Sequence, residues 1–481
     1  MAAAIVTSTG LAAVLVFRRL GTKPLWLDET VSVAVARRPL TRLLAVLPHR
    51  DANAGLYYLL LHTWLRLGHG AGWTRVPSAA AFVATAGLAA WLGSRWRGCW
   101  FGLVCGLLVA TNQFLVFYGQ EARPYALAVM VAVASTAALF RRDGEPAPAA
   151  YVILTVVLLY LDLFAVLFVV AQAGAVVVVH RWRRAPLPPG LVTCWAIIAA
   201  AAAPLALLMI TAERSQISWL TRPTLRYLGQ TFTAMTNGWL GLVLMALLAL
   251  CGVVTLAATS DAFPVGALLA SFALPPLTLW VFAQFVPSFI DRYVICSTIG
   301  IIGLGAVGLD ILRRRRAQVV ALAALGLLAG LGLSRIARFE GAPFKYENPP
   351  AVVSFISDQS RQGDAVGFAG GGLRTVIDAY VRPGQPFPDD IALATGGAAA
   401  RQPDIYAREV DPPTLLTRLS GVERLWLVTD PSNHRYPPFG PFAPLRPAVA
   451  GVFQPRLAAS FPGIDVTLYA RRTPLPPGPR R

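Results

Sequence analysis

Residues 114–130 read "FLVFYGQEARPYALAVM". Two apolar runs meet at Gln120-Glu121-Ala122-Arg123, which sets a carboxylate and a guanidinium between segments suited to lipid. A charge at mid-bilayer costs about 2.5–3.5 kcal/mol on insertion scales, so such a pair is expected to mark the end of a span or to line a wet or paired cavity. Deciding which requires a count of the spans on either side.

The bulk numbers favour a membrane. The chain has 481 residues, 56% of them hydrophobic and 14% charged, with a mean hydropathy of +0.58. This suits a polytopic membrane protein rather than a soluble domain. The net charge of +18 is carried by arginines in short clusters between apolar runs, the pattern of membrane loops, and nucleic acid is not expected as a partner. Cys99, Cys105, Cys194, Cys251 and Cys296 all fall in apolar segments without a CxxC pair, and the five histidines form no HExxH. No nucleotide cofactor is expected. A divalent cation is left open.

A span needs about 20 apolar residues, with a range of roughly 17–25. Candidates lie near 2–17, 76–93, 99–117, 124–140, 149–161, 163–180, 190–210, 238–258, 263–283, 294–311 and 318–335. The expected fold is therefore mainly α, a polytopic bundle of about eleven transmembrane helices. Basic loops face the cytoplasm. That places Arg95 with Arg97, Arg141 with Arg142, Arg181 with Arg183 and Arg184, and the Arg313–Arg316 run inside. The segments 18–75, 118–123, around 162, 211–237, 284–293 and 336–481 then face outward. Residues 149–180 are short for two spans and are read as a thin hairpin with Asp162 at its apex; one long tilted helix is the alternative. Arg18, Arg19 and Lys23 pull the other way but are outvoted by the later loops. The first segment has no basic start and no A-x-A site, and reads as a retained anchor.

In the first outer loop, "TVSVAVARR" and "PLTRLLAVL" read as short helices split at Pro39, and "AGLYYLLLHTWLRLG" as an amphipathic segment along the outer surface. From about residue 340 the composition turns to Pro, Gly and Asp. There "DAVGFA", "RLWLVTD" and "VTLYAR" read as strands, and "PPAVVSFISDQSRQ" and "PPTLLTRLS" as helices. "GFAGGGLRT" matches no phosphate-loop pattern and reads as a turn after a strand. The expected division is a membrane domain over 1–338 and a small extracytoplasmic α/β domain over 339–481.

The conspicuous polar residues all fall on the outer side: Asp28 and Glu29 in "PLWLDETVS", Glu121 and Arg123, Asp162, and Asp291, Arg292 and Tyr293 in "FIDRYVIC". Each has a plainer reading. Asp28 would N-cap a helix starting at Thr30; Glu121 and Arg123 would be an interfacial pair at a helix end; Asp162 would cap the hairpin turn; Arg292 with Tyr293 would anchor the interface. Together they suit chemistry. A carboxylate can take a proton from an acceptor hydroxyl, and an arginine's planar fork can hold a phosphate. A bundle open to lipid can admit a lipid-borne substrate. The set fits group transfer from a lipid phosphate to a hydroxyl.

These stretches are also familiar as a group. "PLWLDETVSVAVARRPLTRLL", "LYYLLLHTWLRL", "RVPSAAAF", "GQEARPYAL" and "DRYVI" resemble the GT-C glycosyltransferases of the protein-mannosyltransferase-like group over roughly residues 20–310. The resemblance implies a polyprenyl-phosphate sugar donor and a glycan, lipid or protein hydroxyl as acceptor. It implies transfer on the outer face of the cell membrane, usually with inversion. Glu29 adjoins Asp28 but should project elsewhere on the helix and ranks second to it; the resemblance assigns Asp28 as base, Glu121 as support for the site and Arg292 as phosphate contact. Arg123, Tyr125, Asp162 and Tyr293 join it as substrate-contacting residues, and mannose is one candidate sugar. The chain departs from the group where Asn53-Ala54-Gly55 replaces His-Pro-Pro, and where Asp162 aligns with a histidine. These departures leave the acceptor and any metal requirement unassigned. A flippase or export subunit for lipid-linked glycans, without transferase chemistry, is the alternative. It would need charges along a path to both faces.

Overall fold

The computed structural model describes residues 1–48, 52–140, 148–182, 184–211, 220–256, 262–369, 371–394, 409–430 and 446–472. Arg141, Arg142, Arg183, Gly370 of "GFAGGGLRT" and the middle of the 211–237 loop lie outside the described residues. The chain divides into two compact units, one of residues 1–21 and 51–342, the other of 22–50 and 343–481. The expected division at 338/339 counted the whole first outer loop with the membrane part. The structure instead packs residues 22–50 with the C-terminal tail.

Helices occupy the expected apolar stretches of the first unit. Among the described residues seven are long and apolar enough to cross a membrane, and the bent pair Cys99–Ala110 and Gln113–Gly119 makes an eighth. Three shorter apolar helices are Ala2–Phe17, Tyr125–Leu139 and Pro148–Leu161. The chain is a multi-pass membrane protein.

The third span was expected to run unbroken from 99 to 117; it bends by 62° at Thr111-Asn112. Asn112 is extended, and its Oδ1 accepts the Leu115 N–H at 3.0 Å to cap the second half. Its Nδ2 donates to the Met235 carbonyl at 2.8 Å, and Asn237 Oδ1 accepts the Gln113 N–H at 2.8 Å. Two asparagines thus satisfy the backbone groups that a break inside a membrane would leave bare. At Gly332 the last helix comes so close to this break that a Cβ would overlap the Thr111 carbonyl.

The segment 149–180 is not the single long helix of the alternative reading, because it breaks at Asp162. Pro148–Leu161 ends at Asp162, whose backbone is extended and whose Oδ1 accepts the Phe164 N–H at 3.1 Å. A short 3-10 turn, Leu163–Ala165, then leads into Val166–Trp182. The first arm packs on Tyr125–Leu139, the second on Ala262–Ala283.

Ion pairs group the loops by face. The 27-residue helix Ala71–Arg97 is about 40 Å long. Near its start Arg75 Nη1 donates to the Leu20 carbonyl at 2.9 Å, which places the end of the first helix there. Arg18 pairs with Glu340 at 3.3 Å and Arg19 donates to the Glu340 carbonyl, so the end of the last helix joins the same face. The cations that locally opposed the expected orientation are thus partly neutralised from across the bundle. At the far end Arg97 meets Asp310 at 3.0 Å, and Arg313 and Arg314 converge on the same carboxylate. The Arg95–Arg97 and Arg313–Arg316 loops therefore share the opposite face, as an even number of crossings between them requires.

The second unit holds a five-stranded sheet: β1 Ala365–Phe368, β2 Asp389–Asp390, β3 Arg424–Thr429, β4 Phe453–Phe461 and β5 Ile464–Arg471. The order is β2-β1-β3-β5-β4, with β1 parallel to β2 and β3, and β5 antiparallel to β3 and β4. Strand side chains alternate between faces, and both faces of β3 are covered. Trp426 and Val428 pack with Val352, Val353 and Ile356 of helix Pro349–Gln359. Leu425 and Leu427 pack with Leu415 and Leu419 of helix Pro412–Ser420. The expected strands are β1, β3 and β5. β4 alternates only from Leu457 onward, buries only Phe453 fully, and is bulged between Pro455 and Leu457, which hid it from the sequence pattern. Leu27–Ala36 and Leu40–Val46 are the two expected loop helices, with Pro39 as N-cap rather than first helical residue.

Candidate active site

In the membrane unit the helix Gln113–Gly119 stops at Gly119, and the next helix starts at Tyr125. The unwound residues between them are Gln120, Glu121, Ala122, Arg123 and Pro124. Gln120 is structural: its Nε2 donates to the Val16 carbonyl at 3.0 Å and to the Arg18 carbonyl at 3.1 Å, closing the end of the first helix. Glu121 is 0% exposed. An interfacial helix-end charge would sit in water or among headgroups; this one is sealed inside the bundle.

Arg123 is also buried, and Ser78 Oγ fixes its backbone by donating to the Arg123 carbonyl at 3.0 Å. Its Nη1 donates to the Tyr58 hydroxyl at 3.2 Å, and its guanidinium carbon lies 5.8 Å from the centre of the Tyr125 ring. Arg292 approaches the same ring, also at 5.8 Å. Arg292 is carried on the 3-10 segment Asp291–Ser297, where Asp291 Oδ1 accepts the Arg292 N–H at 2.7 Å. The Tyr118 side chain hydrogen-bonds Asp291, and the Tyr118 ring packs edge-on to Tyr125 at 5.2 Å. Tyr293 stacks on Phe164 at 4.1 Å, two residues beyond Asp162. Asp162 is buried and within electrostatic reach of both Arg123 and Arg292, and its Oδ2 has no hydrogen-bond partner among the described residues.

Arg123, Tyr125, Asp162, Arg292 and Tyr293, remote in sequence, are thus gathered in one cluster on the face of the bundle that carries Arg75. It holds two cations, the carboxylates of Asp162 and Asp291, and a wall of rings, a setting whose arginines can receive an oxyanion on a lipid chain. Tyr58 and Tyr118 are members the sequence reading missed. Tyr58 stood in the "LYYLLLH" stretch, where it read as one more apolar position. That stretch was expected along the outer surface. Its helix, Gly55–Trp64, buries Tyr57, Tyr58 and Leu61 against the bundle.

Asp28 and Glu29 lie in the second unit. The helix begins at Leu27, with Trp26 as N-cap, so Asp28 is in the first turn and not the cap expected for a start at Thr30. A carboxylate there is favoured by the helix dipole. Asp28 is half-buried, whereas Glu29 is 0% exposed. Glu29 Oε2 accepts the Trp26 N–H at 3.4 Å and Oε1 pairs with Lys345 at 3.7 Å. No three His, Cys, Asp or Glu side chains among the described residues are placed to hold a metal ion.

No protein-family model matches the chain, and no curated protein does. Solved structures do. ArnT from Cupriavidus metallidurans in the apo state superposes with a TM-score of 0.61 over 96% of this chain and 97% of that one, at 12% identity. The same protein bound to undecaprenyl phosphate gives 0.59 at 13% identity, with the same coverage. The chain has a GT-C fold. The arabinofuranosyltransferase AftD from Mycobacteria aligns over 98% of this chain but only 40% of its own length, with a TM-score of 0.47 and 13% identity. The GT-C likeness covers both the helical part and the tail, and at these identities it concerns architecture.

Proposed function

We propose that this chain is a membrane glycosyltransferase that moves a sugar from a polyprenyl-phosphate carrier to a hydroxyl acceptor on the outer face of the cell membrane. The observation that carries this is the pair of arginines, Arg123 and Arg292, set 5.8 Å from the one Tyr125 ring inside a buried polar cluster. The GT-C fold, shared with a protein crystallised with undecaprenyl phosphate, supports the lipid-phosphate reading. The arginine loops at the opposite end would face the cytoplasm and the C-terminal α/β domain the outside. There Asp310 already engages Arg97, Arg313 and Arg314, which disfavours a charged path from face to face and so a flippase.

In the proposed reaction the acceptor oxygen attacks the anomeric carbon as the bond from that carbon to the phosphate oxygen breaks, inverting the centre. Charge develops on the departing phosphate, where Arg292 and Arg123 stabilise it. Tyr58 holds Arg123 in place. Asp28 takes the acceptor's proton; that role rests on the resemblance of "PLWLDE", with Glu121 supporting the site. Which sugar is moved, mannose among the candidates, is for experiment. Purified chain in lipid nanodiscs is offered a panel of polyprenyl-phosphate sugars and scored for transferred sugar and released polyprenyl phosphate. One donor should turn over, and Asp28→Asn, nearly isosteric, should lower its rate about 10²–10⁴-fold. Turnover of none would refute the reading, and a wild-type rate for Asp28→Asn would remove Asp28 as base.

A further inference from the structure

The segment that bears Asp28 is gripped by the tail. Leu25 donates its N–H to the Tyr380 hydroxyl, which donates back to the Leu25 carbonyl at 3.3 Å. The Trp26 ring lies 4.5 Å from that of Tyr346. Glu347 Oε2 accepts the Leu27 N–H at 3.1 Å. Lys345 pairs with Glu29, the two side chains being 1% and 0% exposed. Leu27 packs on Gly372 closely enough that a Cβ there would lie 3.1 Å from Leu27 Cδ1. On its other side the Lys345–Asn348 stretch is fixed by the turn between β4 and β5. Asn348 donates to the Pro462 carbonyl at 3.2 Å, and Gly463, at φ +70°, leaves room for the Glu347 side chain.

These contacts share a purpose in helix physics. The first N–H groups of a helix have no partner within it. Here the N-terminus that carries Asp28 has its Trp26 and Leu27 N–H groups taken by Glu29 and Glu347, and Glu29 is in turn held by Lys345. The Trp26 backbone is extended, at φ −94° and ψ −179°, so the entry angle of the chain depends on what grips Leu25 to Leu27.

We infer that Lys345, Tyr346, Glu347 and Tyr380 are positioning residues for Asp28, which makes the C-terminal domain part of the catalytic machinery rather than a cover or an acceptor-binding appendage. The inference rests on the reading of Asp28 as base. None of the four residues contacts substrate in this account; they fix the backbone from which the carboxylate projects, and small misplacements of a reacting group cost rate steeply.

The test uses the full chain in nanodiscs and two readouts. Glu347→Ala removes the acceptor for the Leu27 N–H, whereas Glu347→Gln keeps an oxygen there; Tyr380→Phe keeps the ring and loses the hydroxyl. Hydrogen exchange at Leu25–Asp28 should speed at least tenfold in Glu347→Ala and in Tyr380→Phe, and hardly in Glu347→Gln. Glu347→Ala should lower kcat about 10–100-fold with donor KM unchanged. In that background the added cost of Asp28→Asn should shrink, because the base is already displaced. Unchanged exchange in Glu347→Ala, or a kcat as low in Glu347→Gln as in Glu347→Ala, overturns the positioning role. Failure of the underlying reading shows differently, as Asp28→Asn turning over at the wild-type rate in an otherwise native chain.

Discussion

Two groups of arginines in the membrane unit are built on opposite plans. At one end, Asp310, itself 1% exposed, gathers Arg97, Arg313 and Arg314 at 3.0, 3.6 and 2.8 Å. At the other, the Tyr125 ring gathers Arg123 and Arg292, each at 5.8 Å. A carboxylate cancels a formal charge. A π face attracts a cation by about 0.5–2 kcal/mol and leaves the charge in place. The first plan ties three loop arginines to one carboxylate; the second sets two guanidinium groups against a shared ring, with Asp162 within electrostatic reach of both and Asp291 beside Arg292. Two arginine clusters in one bundle can therefore differ in purpose, and what they are gathered around distinguishes them.

The comparison breaks most visibly at Asp310. Removing one member of a buried ion pair typically costs about 3–5 kcal/mol, because the partners are left charged and unpaired. Asp310→Asn should lower the melting temperature of the nanodisc-embedded protein markedly, while transfer per folded molecule stays near wild type. A large loss of turnover at unchanged stability would show that this end also does chemistry.

Arg292→Ala should act mainly on donor use. Arg292 lies within electrostatic reach of Asp162 and Asp291, so its loss should also lower stability, but by less than Asp310→Asn, which strips three arginines of their shared carboxylate. Donor kcat/KM should fall about 10–100-fold, the scale of about 1.4–2.7 kcal/mol for a charge-assisted contact. Arg292→Lys keeps the charge but loses the planar fork, and should recover only part. Wild-type donor use by Arg292→Ala would exclude Arg292 as the phosphate contact.

The ring itself gives a smaller, sharper test. Tyr125→Leu removes the face that both guanidinium groups share, and each contact of this kind is worth about 0.5–2 kcal/mol. Donor KM should rise about 3–30-fold. Tyr125→Phe retains the face and should stay within about threefold of wild type.

How far the sequence revealed these sites follows from what carries the signal. Apolar runs of about 20 residues are read directly, because lipid demands that length whatever the neighbours. That is why the helices fall where the hydropathy put them. The bend at Asn112 was invisible because its partners Met235 and Asn237 lie more than 120 residues away. Arg123 and Arg292 were legible because charges beside apolar runs are costly and so conspicuous. Tyr58 and Tyr118 were not, since a tyrosine in an apolar run looks like any other aromatic until an arginine is seen on its hydroxyl or an aspartate beside it. The loop helix of Asp28 was assigned to the membrane part by sequence order, whereas the grip of Lys345, Glu347 and Tyr380 on it depends on pairings some 320 to 355 residues apart.

The second unit extends the comparison with the stoichiometry inverted. There one buried arginine, Arg374, meets Asp390 and Glu409, with Asp378 nearby. One cation cannot balance three carboxylates, and the shortfall appears as acids held back from ionising. Asp378 is exposed at the surface, yet partial desolvation beside the cluster, then the charge of Asp390, pushes its carboxyl up to about 6, against the pull of Arg374. Burial likewise raises Glu409. A carboxyl whose folded pKa is raised binds its proton more tightly when folded than when unfolded. Between the ordinary carboxylate pKa near 3.8 and about 6 the folded state therefore holds more protons, and stability falls as pH rises through that window. Below the window both states are protonated, and above it both are ionised and the full penalty is present. Asp378→Asn removes the titration and keeps the shape. It should flatten the pH dependence of the melt between pH 4 and 6, and at pH 7.5 stabilise the protein by on the order of 1 kcal/mol after solvent screening. The readout is the melting temperature of wild type and variant across that range. Parallel curves would mean that Asp378 does not titrate in this window and that Arg374 compensates all three acids after all.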